Sequence, residues 1–339
     1  MKIAPLRVGD TVAVLSPSWC GPASFPHVYD HGLQLLRSWG LIVKEYPTTR
    51  KQGTPYERAH DFNAALADTS VKAIIASIGG DDSILVLPHI DAKLALAHPK
   101  IIMGYSDSTT FLSYFAGLGL PTFNGPTVMA GLSQHTFYPS AIEHVRKVLF
   151  GELTTYELRQ FTVYSEGYED WADVSKVGLC KPEVANPGYV VMGGSHVVEG
   201  QLFGGCIEVL EFLKGTAYWP SADFFEGKIL FFETSEEKPS PKNVMYMLRN
   251  YGTMGILSKV SGILFGIARD YTHEQKRDLE QQIVKVLMDY RVDIPVVCHL
   301  NFGHTDPQYV VPLLGHCMID PNREVVKITD TNILPSARQ

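Results

Sequence analysis

Ile101-Ile102-Met103-Gly104-Tyr105-Ser106-Asp107-Ser108-Thr109-Thr110 runs from an apolar strand through a small polar turn into the helical pattern Phe111-Leu112-Ser113-Tyr114-Phe115. This order is the unit of an open parallel α/β sheet, in which ligand-facing groups gather at strand carboxyl ends. A serine at such a turn is held at the rim of the sheet, with the N–H groups of the following helix free to face an oxyanion. Ser106 is therefore the candidate nucleophile. Read alone, the turn is also explained by capping, since Ser, Asp and Thr oxygens satisfy orphan N–H groups at helix starts. The choice depends on whether the rest of the chain supplies a base, an acid to orient it and a second oxyanion donor.

Outward from this turn, short apolar runs alternate with helical patterns. Thr11–Leu15 reads as the first strand and ends in Ser16-Pro17-Ser18; a helix follows over 29–39, a strand over 41–46, a helix over 56–66, and the strand Val71–Ala76 leads to Gly79-Gly80. The pattern loosens between about 150 and 200, where 164–187 is rich in Gly, Glu, Trp and Pro and reads as an inter-domain crossing with a substrate-facing loop. A second set follows: helix Ile207–Leu213, strand 228–232 leading to Glu233, helix 243–251, strand 262–265, helix 273–290 and strand 295–300 leading to His304. The tail over 310–328 predicts a terminal β-hairpin across Asp320-Pro321-Asn322. The expected fold is an N-terminal open parallel-sheet α/β domain over 1–150, a crossing over 151–200 and a C-terminal α/β domain over 201–339, with the active site between the two domains.

The chain has 339 residues with 45% apolar content, enough for two ordinary cores. Twenty-nine Lys and Arg against 36 Asp and Glu give a formal charge of -7. That balance, without a basic block, argues against nucleic acid or anionic lipid as partner. Cys20, Cys180, Cys206, Cys298 and Cys317 are scattered with no CxxC pair, so neither a disulfide framework nor a zinc ribbon is expected. The amino terminus lacks a hydrophobic leader pattern and no 18-residue apolar run occurs, so a soluble cytoplasmic protein is expected.

Three strand ends thus present Ser106, Glu233 and His304. A serine hydroxyl needs an imidazole to take its proton, and the imidazole needs a carboxylate on its other nitrogen to fix the tautomer and stabilise the cation. Gly79-Gly80 ends another strand and can bring a bare backbone N–H close to a reacting carbonyl, because glycine has no Cβ in the way. With the Asp107 N–H it would form an oxyanion hole.

At these residues the chain resembles the LD-carboxypeptidase family of serine peptidases, and within it the branch of microcin C immunity peptidases. The matching pieces are Ser16-Pro17-Ser18, Ile78-Gly79-Gly80-Asp81-Asp82-Ser83, Gly104-Tyr105-Ser106-Asp107-Ser108-Thr109, Glu199-Gly200-Gln201-Leu202-Phe203-Gly204-Gly205, Phe231-Phe232-Glu233-Thr234-Ser235, and Gly303-His304-Thr305 followed by Val311-Pro312-Leu313. They span nearly the whole chain in family order. The resemblance implies Ser106 as nucleophile, His304 as general base and then acid, Glu233 as its partner, and Gly80 with Asp107 as oxyanion donors. It also implies a site between two domains, chemistry without metal or other cofactor, and a homodimer. The murein-recycling branch carries Arg-Gly-Gly-Tyr-Gly at the glycine turn; Ile-Gly-Gly-Asp-Asp-Ser is similar to the immunity branch. Two departures stand out: Cys206 replaces an Asn of many relatives, and the loop from Pro187 to Gly193 offers Tyr189 where immunity-type members carry tryptophans.

Gly79, Asp81, Asp82, Tyr189, Cys206 and Lys238 complete the expected substrate-binding set. For Asp81 and Asp82, helix capping or contact with a substrate amine is favoured over metal binding, since hard cations need several converging oxygens. Lys238 lies in the mixed run Glu236-Glu237-Lys238, whose default is a solvated loop, and Cys206 reads more readily as a small buried hydrophobe than as a reactive thiol. His299 sits inside an apolar strand pattern, as a satisfied core histidine would, whereas His135, His196 and His316 carry little specificity. Glu236 and Glu237 remain open as alternatives to Glu233. The expected activity is hydrolysis of an amide in a peptidyl- or aminoacyl-nucleotide of microcin C type; release of a D-residue from a murein tetrapeptide is the alternative, and an idle small-ligand binder is the reading from another class.

Overall fold

The computed structural model describes residues 1–186 and 188–336; Pro187, the first residue of the loop compared above, and 337–339 lie outside the described residues. In chain order the first part comprises β1 (Thr11–Leu15), α1 (Gly21–Ser24), α2 (Pro26–Ser38), β2 (Ile42–Glu45), α3 (Pro55–Ala67), β3 (Val71–Ala76), α4 (Ser83–Val86), α5 (Ala92–Ala97), β4 (Ile101–Gly104), α6 (Thr109–Gly117), β5 (Thr122–Asn124) and α7 (Pro139–Leu149). Short strands β6 (Tyr156–Glu157), β7 (Val163–Tyr164), β8 (Val184–Ala185) and β9 (Val190–Met192) occupy the crossing. The remainder comprises β10 (Val198–Cys206), α8 (Ile207–Leu213), β11 (Ile229–Glu233), α9 (Pro241–Thr253), β12 (Gly262–Gly266), α10 (His273–Asp289), β13 (Val296–Leu300), β14 (Val311–Leu313), β15 (His316–Asp320) and β16 (Val325–Asp330).

Two sheets result. The first has the order β14-β5-β4-β3-β1-β2, and the second β6-β16-β15-β10-β11-β12-β13-β9. Within the first, β2, β1, β3, β4 and β5 are mutually parallel, with Val14 beside Ile75 and Ile74 beside Ile102. Within the second, β10 to β13 are parallel and the outer strands run antiparallel. Every residue of β4, β11, β12 and β13 is buried, which is why these strands read as continuous apolar runs rather than alternating ones. The result is the expected α/β architecture of two parallel-strand units with a β15–β16 hairpin near the carboxyl end.

Helix boundaries follow local chemistry. Thr54 and Glu57 form a reciprocal capping box at α3, and Thr272 and Gln275 form another at α10. On α2, Val28, Tyr29, Leu33 and Leu36 make one buried stripe. One part of the tail departs from the hairpin expectation: β14 leaves it and pairs antiparallel with β5 of the first sheet, Val311 opposite Asn124. That pairing leaves no trace in local periodicity. Helix α6 packs on β4 and β5 and also on β10 and α8, so the helix that follows Ser106 joins the two sheets.

Candidate active site

Ser106 follows the last residue of β4 by two positions and opens a 3₁₀ turn, Ser106–Ser108, that feeds α6. Its backbone sits at φ +60°, a left-handed conformation costly for a residue with a Cβ. Such a strained strand-to-helix corner pushes the hydroxyl out of the sheet plane. Gly79, beyond the end of β3, lies directly against it: a Cβ on Gly79 would stand 2.9 Å from Ser106 Cβ and 3.0 Å from its Oγ. Only glycine permits this approach.

Across the cleft, β13 ends at Leu300 and the turn through Gly303 delivers His304. His304 Nε2 is 3.0 Å from Ser106 Oγ, and His304 Nδ1 is 2.5 Å from Glu233 Oε2 at the end of β11. The same carboxylate oxygen accepts the His304 backbone N–H at 3.2 Å, which fixes ring and main chain together. Gly303, at φ +93°, must be glycine here, because a Cβ would lie 2.5 Å from Glu233 Cγ. The Tyr105 ring meets the imidazole edge-on, with centroids 5.0 Å apart at 70°.

The electrostatics follow from burial and the surrounding carboxylates. Burial works against a charged His304, but Glu233, Glu236 and Glu208 outweigh it and raise its pKa above the ordinary imidazole value. Glu236 occupies the other side of the ring: its Oε2 is 3.2 Å from Nε2, whereas Glu233 holds Nδ1. The alternatives left open by the sequence are thereby separated by position. Glu237 lines the cleft beside Glu236. Asp107 is buried, and burial raises its carboxyl; its Oδ2 accepts the Ser83 N–H at 2.9 Å, tying the serine turn to the start of α4. Among the described residues, neither the Gly80 nor the Asp107 N–H donates to a protein acceptor. A Ser–His–carboxylate relay of this geometry can move a proton from hydroxyl to imidazole while the charge is stabilised from the far nitrogen.

The cleft around Ser106 has a volume of about 540 Å³ and is lined by Gly79, Gly80, Asp81 and His304 from the expected set. The other expected binding residues lie elsewhere. Asp82 is bound by Arg58, whose Nη1 and Nη2 reach its two carboxylate oxygens at 2.6 and 2.8 Å, so its charge serves the fold. Cys206 is fully buried, pairs in register with Glu233 and donates its N–H to Thr109 Oγ1 at 3.1 Å; burial drives its thiol pKa well up. Tyr189 packs against the core ahead of β9, and Lys238 is exposed outside the cleft. His299 is buried against Glu280, with Nε2 2.7 Å from Oε1.

Sequence reading did not single out several lining residues. Trp19 and Trp171 stack with centroids 6.5 Å apart at 2°, and Tyr168 stacks on Trp171 at 5.7 Å. Tyr168 also donates to Asp306 Oδ2 at 2.7 Å. Arg269 lies three residues beyond the end of β12, so the strand-end rule that located Glu233 would have found it. Trp171 stands in the loosely patterned crossing, and Trp19 directly follows Ser16-Pro17-Ser18. Among the described residues no group of three His, Cys, Asp or Glu side chains is placed to hold a metal ion, and no helix is long and apolar enough to cross a membrane.

The chain is similar to known proteins over both of its parts. The LD-carboxypeptidase N-terminal domain matches residues 12–125 and the LD-carboxypeptidase C-terminal domain matches 199–319, together more than half of the chain. The microcin C7 self-immunity protein MccF of Escherichia coli is 28% identical over 338 residues, covering 96% of this chain and 95% of that protein. A probable murein peptide carboxypeptidase of Bacillus subtilis (strain 168) is 29% identical, covering 92% of this chain and 89% of that protein. The structure of MccF in complex with glutamyl sulfamoyl guanosine superposes with a TM-score of 0.87 at 28% identity, covering 98% of this chain and 99% of that one. With both of its domains matched in order on the two sheets that face the cleft, the chain belongs to the LD-carboxypeptidase family and is a hydrolase of the serine peptidase type.

Proposed function

We propose that the protein hydrolyses an amide bond in a peptidyl- or aminoacyl-nucleotide through an acyl-enzyme on Ser106. The observation that carries this reading is the continuous Ser106–His304–Glu233 contact inside a cleft whose wall bears the parallel rings of Trp19 and Trp171. In the first half-reaction Ser106 Oγ attacks the scissile carbonyl and its proton passes to His304 Nε2. The tetrahedral oxyanion is met by the Gly80 and Asp107 N–H groups, each such donor being worth about 3–4 kcal/mol in the transition state. Glu233 stabilises the imidazolium without taking its proton. Collapse breaks the C–N bond as Nε2 gives its proton to the leaving nitrogen. Water then attacks the ester, His304 takes its proton, and that proton returns to Ser106 as the acid departs.

The nucleotide assignment rests on the aromatic wall. A planar base gains stacking energy on indole faces, whereas a murein peptide has no ring to place there. Similarity to MccF, whose solved complex holds glutamyl sulfamoyl guanosine, supports the same class. Asp81 remains in the substrate-binding set at the cleft edge, and we propose a homodimer, tested by sedimentation at assay concentration. Incubation with an aminoacyl sulfamoyl nucleoside and, separately, with a murein tetrapeptide, followed by mass spectrometry, tests the substrate class. Release of free amino acid from the nucleoside conjugate is expected; cleavage of the tetrapeptide alone would overturn the assignment.

A further inference from the structure

One nitrogen of His304 has two suitors. Nε2 lies 3.0 Å from Ser106 Oγ and 3.2 Å from Glu236 Oε2. A neutral Nε2 with its lone pair outward accepts from the serine hydroxyl but repels a carboxylate; only a protonated Nε2 can meet both oxygens. The Glu236 contact therefore belongs to the imidazolium, the form that cannot take a proton from Ser106. Glu236 itself is loosely held: its side chain is 56% exposed, it lines the cleft, and its other charged neighbour is Arg269, with Nη1 3.7 Å from Oε2. Arg269 is shared with Asp270 at 3.3 Å.

The carboxylate also stands where substrate must pass. With the scissile carbonyl carbon at Ser106 Oγ, the group on the adjacent carbon comes within a few ångström of His304 Nε2, and hence of Glu236. Glu237, Asp81 and Glu169 add negative charge along the same cleft and, with Glu236, outnumber its cations Arg269 and Lys181. A free α-ammonium is the substrate group that fits this surface.

Building on the assignment of Ser106 and His304 as the reacting pair, we propose that Glu236 is a positioning residue that keeps the proton on His304 Nε2 in the resting enzyme and yields when a substrate ammonium takes its carboxylate. Binding then exchanges one proton, released from Nε2 to solvent, for one substrate cation. The freed Nε2 accepts from Ser106, and the reaction begins. The other charged groups facing His304 do not move with substrate: Glu233 at the end of β11 is bound to Nδ1, Glu208 on α8 accepts the Ser235 N–H and hydroxyl at 2.9 and 2.8 Å, and Asp306 is held by Tyr168 and Gln308. Glu236 is placed to respond. Desolvation in the cleft works against its charge, but His304, a backbone hydrogen bond and Arg269 together outweigh it and hold its pKa below the ordinary carboxylate value.

The test uses full-length protein and the Glu236→Gln variant, which keeps side-chain size. In a Ser106→Ala background that cannot turn over, NMR titration of the His304 ring carbon reads the proton directly. The midpoint is expected at lower pH in Glu236→Gln and back toward the parent in Glu236→Asp; an unchanged midpoint in folded Glu236→Gln overturns the proposal. With Ser106 intact, kcat/KM is compared for an aminoacyl sulfamoyl nucleoside and its N-acetyl counterpart. The parent is expected to favour the free amine, and Glu236→Gln to bring the ratio toward one while moving the acidic limb to lower pH. A ratio unchanged by the substitution overturns the ammonium exchange. If the parent hydrolyses neither compound, the substrate assignment fails, while the NMR midpoint still decides the role of Glu236.

Discussion

Replacing Glu233 by Gln removes one charge from a fully buried position and little else. The Glu233 Oε2 receives both the His304 ring N–H and the His304 backbone N–H, while Oε1 has no hydrogen-bond partner among the described residues. Gln can place its carbonyl oxygen at the Oε2 position, but its NH₂ then fills the unpartnered site; the reverse orientation sets an N–H against two donors and forces the wrong imidazole tautomer. Taking about 4 Å between charge centres and an effective dielectric constant of about 20, the carboxylate stabilises the imidazolium of the transition state by about 4 kcal/mol. At 1.36 kcal/mol per decade that is about 10³ in rate, and the tautomer penalty brings the expected loss in kcat toward about 10⁴. The assay is single-turnover hydrolysis on the alkaline plateau, where His304 is deprotonated in both proteins, with circular dichroism to confirm folding. Because nearby carboxylates raise the His304 pKa, the acidic limb of the variant should also move to lower pH. A folded variant that loses less than tenfold in kcat would refute the role assigned to Glu233.

Gly79→Ala should lower kcat by about 10²-fold, because the added Cβ, 2.9 Å from Ser106 Cβ, displaces the hydroxyl from His304; thermal melting should show a loss of about 1–3 kcal/mol from overpacking. Asp82→Asn should destabilise by about 1–2 kcal/mol at neutral pH, a figure discounted for the partial exposure of Asp82, since the Arg58 guanidinium that also binds Pro17 O and Ser18 O loses its counter-charge. Hydrogen bonding and charge from Arg58 hold the Asp82 carboxyl below its ordinary pKa, so this stabilisation is present above the unfolded carboxylate value and disappears as pH falls through the folded one. Urea midpoints of parent and variant should therefore converge in acid.

The parallel strands of both sheets were legible in the sequence because they are buried on both faces and read as unbroken apolar runs, such as Ile229 to Phe232 before Glu233. Their carboxyl ends then pointed to Ser106, Glu233 and His304, with Glu236 and Glu237 left open beside Glu233 and the roles supplied by the family resemblance. Long-range pairing was not legible. β14 could not be assigned to the first sheet from Val311-Pro312-Leu313 alone, and β10, broken by Gly200, Gly204 and Gly205, carries too few side chains to show a strand period. The cleft wall was hidden for a similar reason: Trp19 and Trp171 are 152 positions apart in sequence (171 minus 19) and become neighbours only when the crossing folds over the first sheet. Tyr189 was the expected aromatic face because it lies in the loop where immunity-type members carry tryptophans, but it packs against the core.

The proposed hydrolysis starts from Ser106 as an activated nucleophile. The most direct measurement is intact-protein and peptide mass spectrometry after treatment of the folded protein at neutral pH with a serine-reactive fluorophosphonate. One adduct per chain, located on Ser106, absent from Ser106→Ala and slowed in Glu233→Gln, is the expected result. No adduct on Ser106 in folded protein, or labelling and hydrolysis that persist in Ser106→Ala, would contradict it.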